Sequence, residues 1–262
     1  MNRIKCIVSY DGSKFHGFQV QNQFRTVQGE IQKAIKNICK DESIVIHASG
    51  RTDAKVHGRR QVFHFDTLRE MPEKQWKRAI NHFLPNDIYI IDSFLVDENF
   101  HSRYSATKKE YHYMLSMNDY SPFETNYIYQ YGKELDIEAM RKAAKIFIGE
   151  HDFASFCAVD QYGIVEIKSL KRILDAVDKD GNTIRTLYQI EIENNRGIVT
   201  FKLVGNGFRR YMVRHLVGGL IQVGAHRITK EFLEELIESK GQKKCLFKAK
   251  PQGLYLHEVF YK

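Results

Sequence analysis

Apolar residues along this chain switch between two spacings, and that alternation restricts the fold more than any other feature. Ile4, Cys6, Val8 and Tyr10 recur at the period of two expected of a half-buried strand. Val27, Ile31, Ala34, Ile35 and Ile38 follow at helical spacing. Two strand-like runs, Ile44 to Ser49 and Gln61 to Asp66, then precede a helix opened by Pro72, with Trp76, Ile80, Phe83 and Leu84 along one side. Ile88 to Val96 reads as a strand. The order β-α-β-β-α-β predicts a ferredoxin-like unit, an antiparallel sheet with two helices on one face.

After Arg103 the same order reads again. Glu110 to Met117 is a strand, and Ile137, Met140, Ala144, Phe147 and Ile148 mark a helix. Strands are expected near 165–177, 185–193 and 198–204, a long helix over about 208–223, a shorter one around Phe232, Leu233, Leu236 and Ile237, and a last strand from Leu254 to Tyr261. The expected fold is therefore α+β, with two ferredoxin-like (RRM-like) βαββαβ halves sharing a mainly antiparallel sheet, helices on one face and a central basic cleft. Residues 1–103 form the first domain and 104–262 the second. The boundary falls in the polar segment Asp97 to Lys109. With only four prolines and no Ser/Gly-rich stretch there is no flexible linker, so the halves should pack rigidly.

Of 262 residues, 43% are hydrophobic and 27% charged, which excludes disorder, collagen and coiled coil. No run is apolar for long enough to span a membrane, and the N-terminal MNRIKCIVSYDG reads as a strand, so a cytoplasmic protein is expected. The formal charge is +8. Residues 1–103 hold 16 basic and 12 acidic groups, leaving 24 and 20 of the 40 and 32 for the rest, so each half is +4 and the folded body carries the charge. Such a balance favours a polyanionic partner. Cys6, Cys39, Cys157 and Cys245 lie far apart with no CxxC pair, against a zinc site or disulfide framework.

The most unusual segment is GRTDAKVHGRRQVFHF, Gly50 to Phe65, where Asp53 is a lone carboxylate among Arg51, Lys55, Arg59 and Arg60. It reads either as a turn whose arginines are solvated, or as a carboxylate held ionised by nearby cations and placed against a bound polyanion. In NGFRRYMVRHLVGG, Arg210 and Arg214 are four apart and share a predicted helix face; they are solvated or have anionic partners. In FHSRYSATKKEYHYML, Tyr111 and Tyr113 share a strand face after Lys108 and Lys109, as core residues or as a platform for an unstacked base. YDGSKFHGFQVQ adds Lys14, Phe15, His16 and Gln19 in a Gly-bounded loop. The eleven histidines include no HxxxH or HExxH, and neither GxGxxG nor GxxxxGK(S/T) occurs, so no metal and no cofactor is assigned.

Together YDGSKFHGFQ, TVQGEI, GRTDAKVHGRRQVFHF, FHSRYSATKKEYHY, FRRYMVRHLVGGLIQVGA and QGLYL resemble, in order and over nearly the whole chain, the tRNA pseudouridine synthase A (TruA) family. The resemblance implies a homodimeric, cofactor-free isomerase that converts uridine to pseudouridine in the anticodon stem and loop of tRNA, at positions 38, 39 and 40. Carried over by motif, Asp53 is the catalytic aspartate, Tyr111 stacks on the target uracil and Arg214 pairs with Asp53. Arg51 is expected to help hold or flip the nucleotide. Lys14, Lys55, Arg59, Arg103, Lys109, Arg209 and Arg210 are further expected RNA contacts. One departure stands out: the family motif continues GRTDAGVH, and Lys55 replaces its glycine. Competing readings are a noncatalytic RNA-binding protein of the same fold, a synthase for another RNA position, and a nuclease or nucleoside hydrolase pairing Asp53 with His57 or His64.

Overall fold

The computed structural model describes residues 1–158 and 182–262. The first half runs β1 (Asn2–Tyr10), α1 (Val27–Cys39), β2 (His47–Ala48), β3 (His57–Thr67), α2 (Glu73–Phe83) and β4 (Ile88–Val96). The second runs β5 (Ala106–Ser116), β6 (Tyr129–Gln130), α3 (Ile137–Ala144), β7 (Gly149–Asp152), β8 (Ile184–Asn195), β9 (Ile198–Gly205), α4 (Met212–Gly224), α5 (Lys230–Glu238) and β10 (Leu254–Tyr261). These strands form one sheet in the order β4-β1-β3-β10-β5-β9-β8-β7, with β2 beside β3 and β6 beside β5. Within it, β4-β1-β3-β2 and β10-β5-β9-β8 are the same sequence of positions, the split βαβ arrangement formed twice.

The halves meet at a short parallel seam, β10 against β3, where Tyr255 opposes His57 and Leu256 opposes Gly58. Each half has its own core. In the first, Ile4, Cys6, Phe63, Phe65 and Ile90 of the sheet pack against Ile31 and Ile35 of α1 and Trp76 and Ile80 of α2. In the second, Tyr113, Leu115, Phe201 and Leu203 meet Met140, Leu216, Leu220 and Leu233. The period-two and helical stripes of the sequence are the surfaces that these cores bury. Val56 and Val62, next to the seam, belong to the second core although they lie in the first half.

Some expectations need correction. The run Ile44 to Ser49 contributes only a two-residue strand, His47–Ala48, and the Gln28 side-chain amide of α1 donates to the Ile46 carbonyl just before it (3.2 Å). Pro72 is the residue before α2 rather than its first, and Phe83 is half exposed at the helix end. The helix expected over about 208–223 begins only at Met212, after Tyr211 adopts a left-handed conformation with φ 64°. Arg210 therefore precedes α4 and does not share a helix face with Arg214. The strand expected near 165–177 lies outside the described residues.

Candidate active site

The GRTDAKVH segment forms the turn that enters β3, and its shape is set by the neighbouring loop after β1. Phe18 donates from its backbone to the Thr52 carbonyl (3.1 Å), Lys55 to that of Phe15 (3.2 Å), and the Tyr10 hydroxyl bonds Thr52 Oγ1 (2.8 Å). Gly12 passes so close that a Cβ there would lie 2.0 Å from the Val56 carbonyl oxygen, so only glycine fits. From the other half, Lys109 on β5 donates to the Ser49 carbonyl (2.6 Å). Burial pushes its ammonium down to about 8, with Arg103 and Arg185 adding repulsion.

This framework points Asp53 at α4. Arg214 Nη1 lies 3.4 Å from Asp53 Oδ2, with the two side chains 10% and 22% exposed, and Arg214 Nε donates to the Ala249 carbonyl (2.8 Å). Burial raises the Asp53 carboxyl above its ordinary value, while Arg214, Arg210 and Lys248 pull it down. A half-buried carboxylate that faces several cations is suited to act as nucleophile or base. Tyr111, on β5 between Leu256 of β10 and Leu203 of β9, is 7% exposed, its ring edge-on to Phe208 at 5.0 Å. Burial holds its phenol neutral, and the Asp53 charge reinforces this. A carboxylate, a guanidinium and an aromatic ring from three separate segments thus converge, an arrangement able to hold a flat heterocycle beside a reactive oxygen.

For a cation, the described residues offer one candidate group, Glu110, His112 and His257, whose ligating atoms lie within 4.8 Å of one another. It is on the sheet face away from Tyr111, since Glu110 and His112 alternate with it along β5. The two imidazoles stack at 3.7 Å and 9°, so their lone pairs lie in separate, nearly parallel planes and do not meet on one ion in this arrangement.

The family model described as tRNA pseudouridine synthase matches residues 6–105 and 143–262. A protein of Bacillus cereus (strain ATCC 10987 / NRS 248) called tRNA pseudouridine synthase A 1 is 41% identical over 262 residues, covering 100% of this chain and 99% of that protein. The chain belongs to the tRNA pseudouridine synthase A family. Members from Oceanobacillus iheyensis (42% identity, 100% of this chain and 97% of that one) and Thermosipho africanus (39%, 100% of both) are alike over their full lengths. Among solved structures, a chain of the archaeal box H/ACA sRNP Nop10-Cbf5 complex is similar at 16% identity and TM-score 0.32, covering 84% of this chain and 43% of that one. That likeness is too distant to carry an argument.

Against the family motif, Lys55 is informative: its φ is 65°, the left-handed conformation in which glycine is at ease, and its side chain is exposed. A lysine holds that conformation at a cost that glycine would not bear. Of the other expected contacts, Lys14, Arg51 and Arg210 are exposed, Arg209 is half-buried, and Arg103 lies over the Tyr104 ring at 5.6 Å. Arg59 does not join the cluster. It lies 5.1 Å over Tyr255, which pairs with His112 and so occupies the face opposite Tyr111. His57 and His64 stand apart as well: His57 is bonded to Gly12 N and the Asn126 carbonyl, and His64 to Ser102. Sequence reasoning passed over Tyr211, Phe208 and Lys248. Phe208 and Tyr211 lie inside a motif already singled out, and Lys248 stands four residues before the QGLYL block.

Proposed function

We propose that this synthase-family chain isomerises uridine to pseudouridine in the anticodon stem and loop of tRNA, at positions 38, 39 and 40, with Asp53 as the catalytic residue. The observation that carries this reading is the Asp53 carboxylate, half-buried, opposed by Arg214 and neighboured by the Tyr111 ring. The reaction breaks the bond from N1 to C1′, turns the uracil and joins C5 to C1′. C5 loses a proton and N1 gains one, so atoms and electrons balance with no redox partner, cofactor or metal. Asp53 can attack C1′ to give a ribosyl ester, add to C6, or take a ribose proton to give a glycal. Each route needs the carboxylate ionised, which Arg214 favours.

A uridine stacked in RNA is out of reach of a loop carboxylate, so it must flip outward at a cost of a few kcal/mol. Stacking on Tyr111 and phosphate contacts offset that cost, and Arg51 helps hold the flipped nucleotide. Lys14, Lys55, Arg103, Lys109, Arg209 and Arg210 supply the cationic surroundings. Water has to be kept from capturing the ribosyl intermediate. The division into domains 1–103 and 104–262 puts Asp53 in one and Tyr111 and Arg214 in the other, so the site exists only where both are docked. The protein acts as a homodimer in the cytoplasm. The deciding experiment incubates purified protein with unmodified tRNA transcripts and maps pseudouridine by position, with Asp53→Asn as control. Unchanged RNA, cleaved RNA or free uracil from the wild type would each overturn the proposal.

A further inference from the structure

Tyr211 has a conformation that its residue type resists. Its φ of 64° is left-handed, an outlier for a bulky aromatic residue, and it precedes α4 without capping it by a side-chain hydrogen bond. The chain reverses there through a bond from Met212 N to the Arg209 carbonyl (3.1 Å). What the conformation achieves is visible around the ring. Lys248 Nζ lies 4.4 Å from its centroid, Arg210 Cζ 4.7 Å and Arg214 Cζ 5.4 Å, and Arg210 Nη2 also donates to the Tyr211 hydroxyl (2.9 Å). The aromatic quadrupole attracts each cation. These three are also the cations that act on the Asp53 carboxylate.

Three positive charges gathered on one ring repel each other, and among the described residues the carboxylate paired with any of them is Asp53 alone, with Arg214. The cluster thus holds an excess of positive charge next to the reacting carboxylate. An RNA phosphodiester is the anion that the proposed substrate brings to that place. We propose that Tyr211 is a positioning residue that gathers Arg210, Arg214 and Lys248 into a phosphate-binding subsite beside Asp53, which holds the backbone next to the flipped uridine. This rests on the reading of the chain as an RNA-modifying synthase.

The test is the salt dependence of tRNA binding and turnover by the full chain. Each cation–phosphate contact contributes about 0.7–0.9 to the slope of log K against log salt concentration. Tyr211→Leu, which changes no charge, should make the slope shallower by about 1.5 as Arg210 and Lys248 disperse, and should raise KM about tenfold. Tyr211→Phe keeps the ring and loses only the hydroxyl that accepts from Arg210, so its slope should change by less than that of Tyr211→Leu, and Lys248→Gln should lose about 0.7–0.9. A wild-type slope in Tyr211→Leu or in Lys248→Gln, or equal losses in the Phe and Leu variants, overturns the subsite. If thermal melting shows Tyr211→Leu to be unfolded, the exposed Lys248→Gln and Arg210→Gln variants decide, and unchanged slopes in both overturn it. A wild type that binds tRNA with these slopes yet forms no pseudouridine defeats the proposed function and leaves the subsite standing.

Discussion

At the scale of single residues, Asp53 bears two opposed demands. Burial favours its protonated form, and Arg214, Arg210 and Lys248 favour the ionised form that the chemistry uses. Because the carboxyl lies above its ordinary value, activity should be lost as pH falls through that raised pKa, earlier than for an exposed aspartate. Arg214→Gln removes the nearest cation and should move the acid limb of the kcat/KM profile to higher pH; an unmoved limb would show that Asp53 is not the titrating group. Asp53→Asn should cut turnover roughly 10²–10⁴-fold, measured by position-resolved pseudouridine mapping, with tRNA binding retained. Lys55 allows a separate test of backbone strain. Left-handed φ costs a non-glycine residue roughly 1–2 kcal/mol, so Lys55→Gly should stabilise the fold by about 1 kcal/mol after glycine's own entropy cost, read from urea denaturation.

At the scale of elements, the catalytic turn is held from both sides, by the loop after β1 and by Lys109 of β5. Gly12→Ala would drive a methyl into the Val56 carbonyl and should cost roughly 1–3 kcal/mol of stability, with a fall in kcat larger than any change in tRNA affinity. Lys109 carries a pH signature. Its folded-state pKa is lowered to about 8, so between about pH 8 and the ordinary lysine value near 10.4 the unfolded chain binds more protons and stability rises with pH. The difference between wild type and Lys109→Met in denaturation series across that window should show this rise, and a difference independent of pH would contradict it. Elements also show where the sequence could be read. The stripes Ile4-Cys6-Val8-Tyr10 and Val27-Ile31-Ile35 name their elements because strand and helix periods are local backbone properties. The start of α4 was not readable from its apolar stripe, since Phe208 fits the helical spacing but packs on Tyr111 instead.

At the scale of the whole molecule, one sheet built from two equivalent halves sets Asp53 against Arg214 and Tyr111 across their junction. A net charge of +8 on this body should make tRNA affinity fall steeply between 50 and 200 mM salt, by roughly 10³-fold or more if six or more phosphates are contacted; a flat response would contradict electrostatic binding. The amino-acid sequence by itself determined the chemical groups, their motif order and the twofold β-α-β-β-α-β plan, because residue type and periodicity are written locally. Only the tertiary structure decided which cations face Asp53. Lys248 joins it while Arg59, six residues along the chain, is turned to the other face of the sheet. Strand alternation and the left-handed reversal at Tyr211 direct those side chains, and groups more than 150 residues apart, such as Asp53 and Arg214, meet only once both cores have formed and the β3–β10 seam has closed.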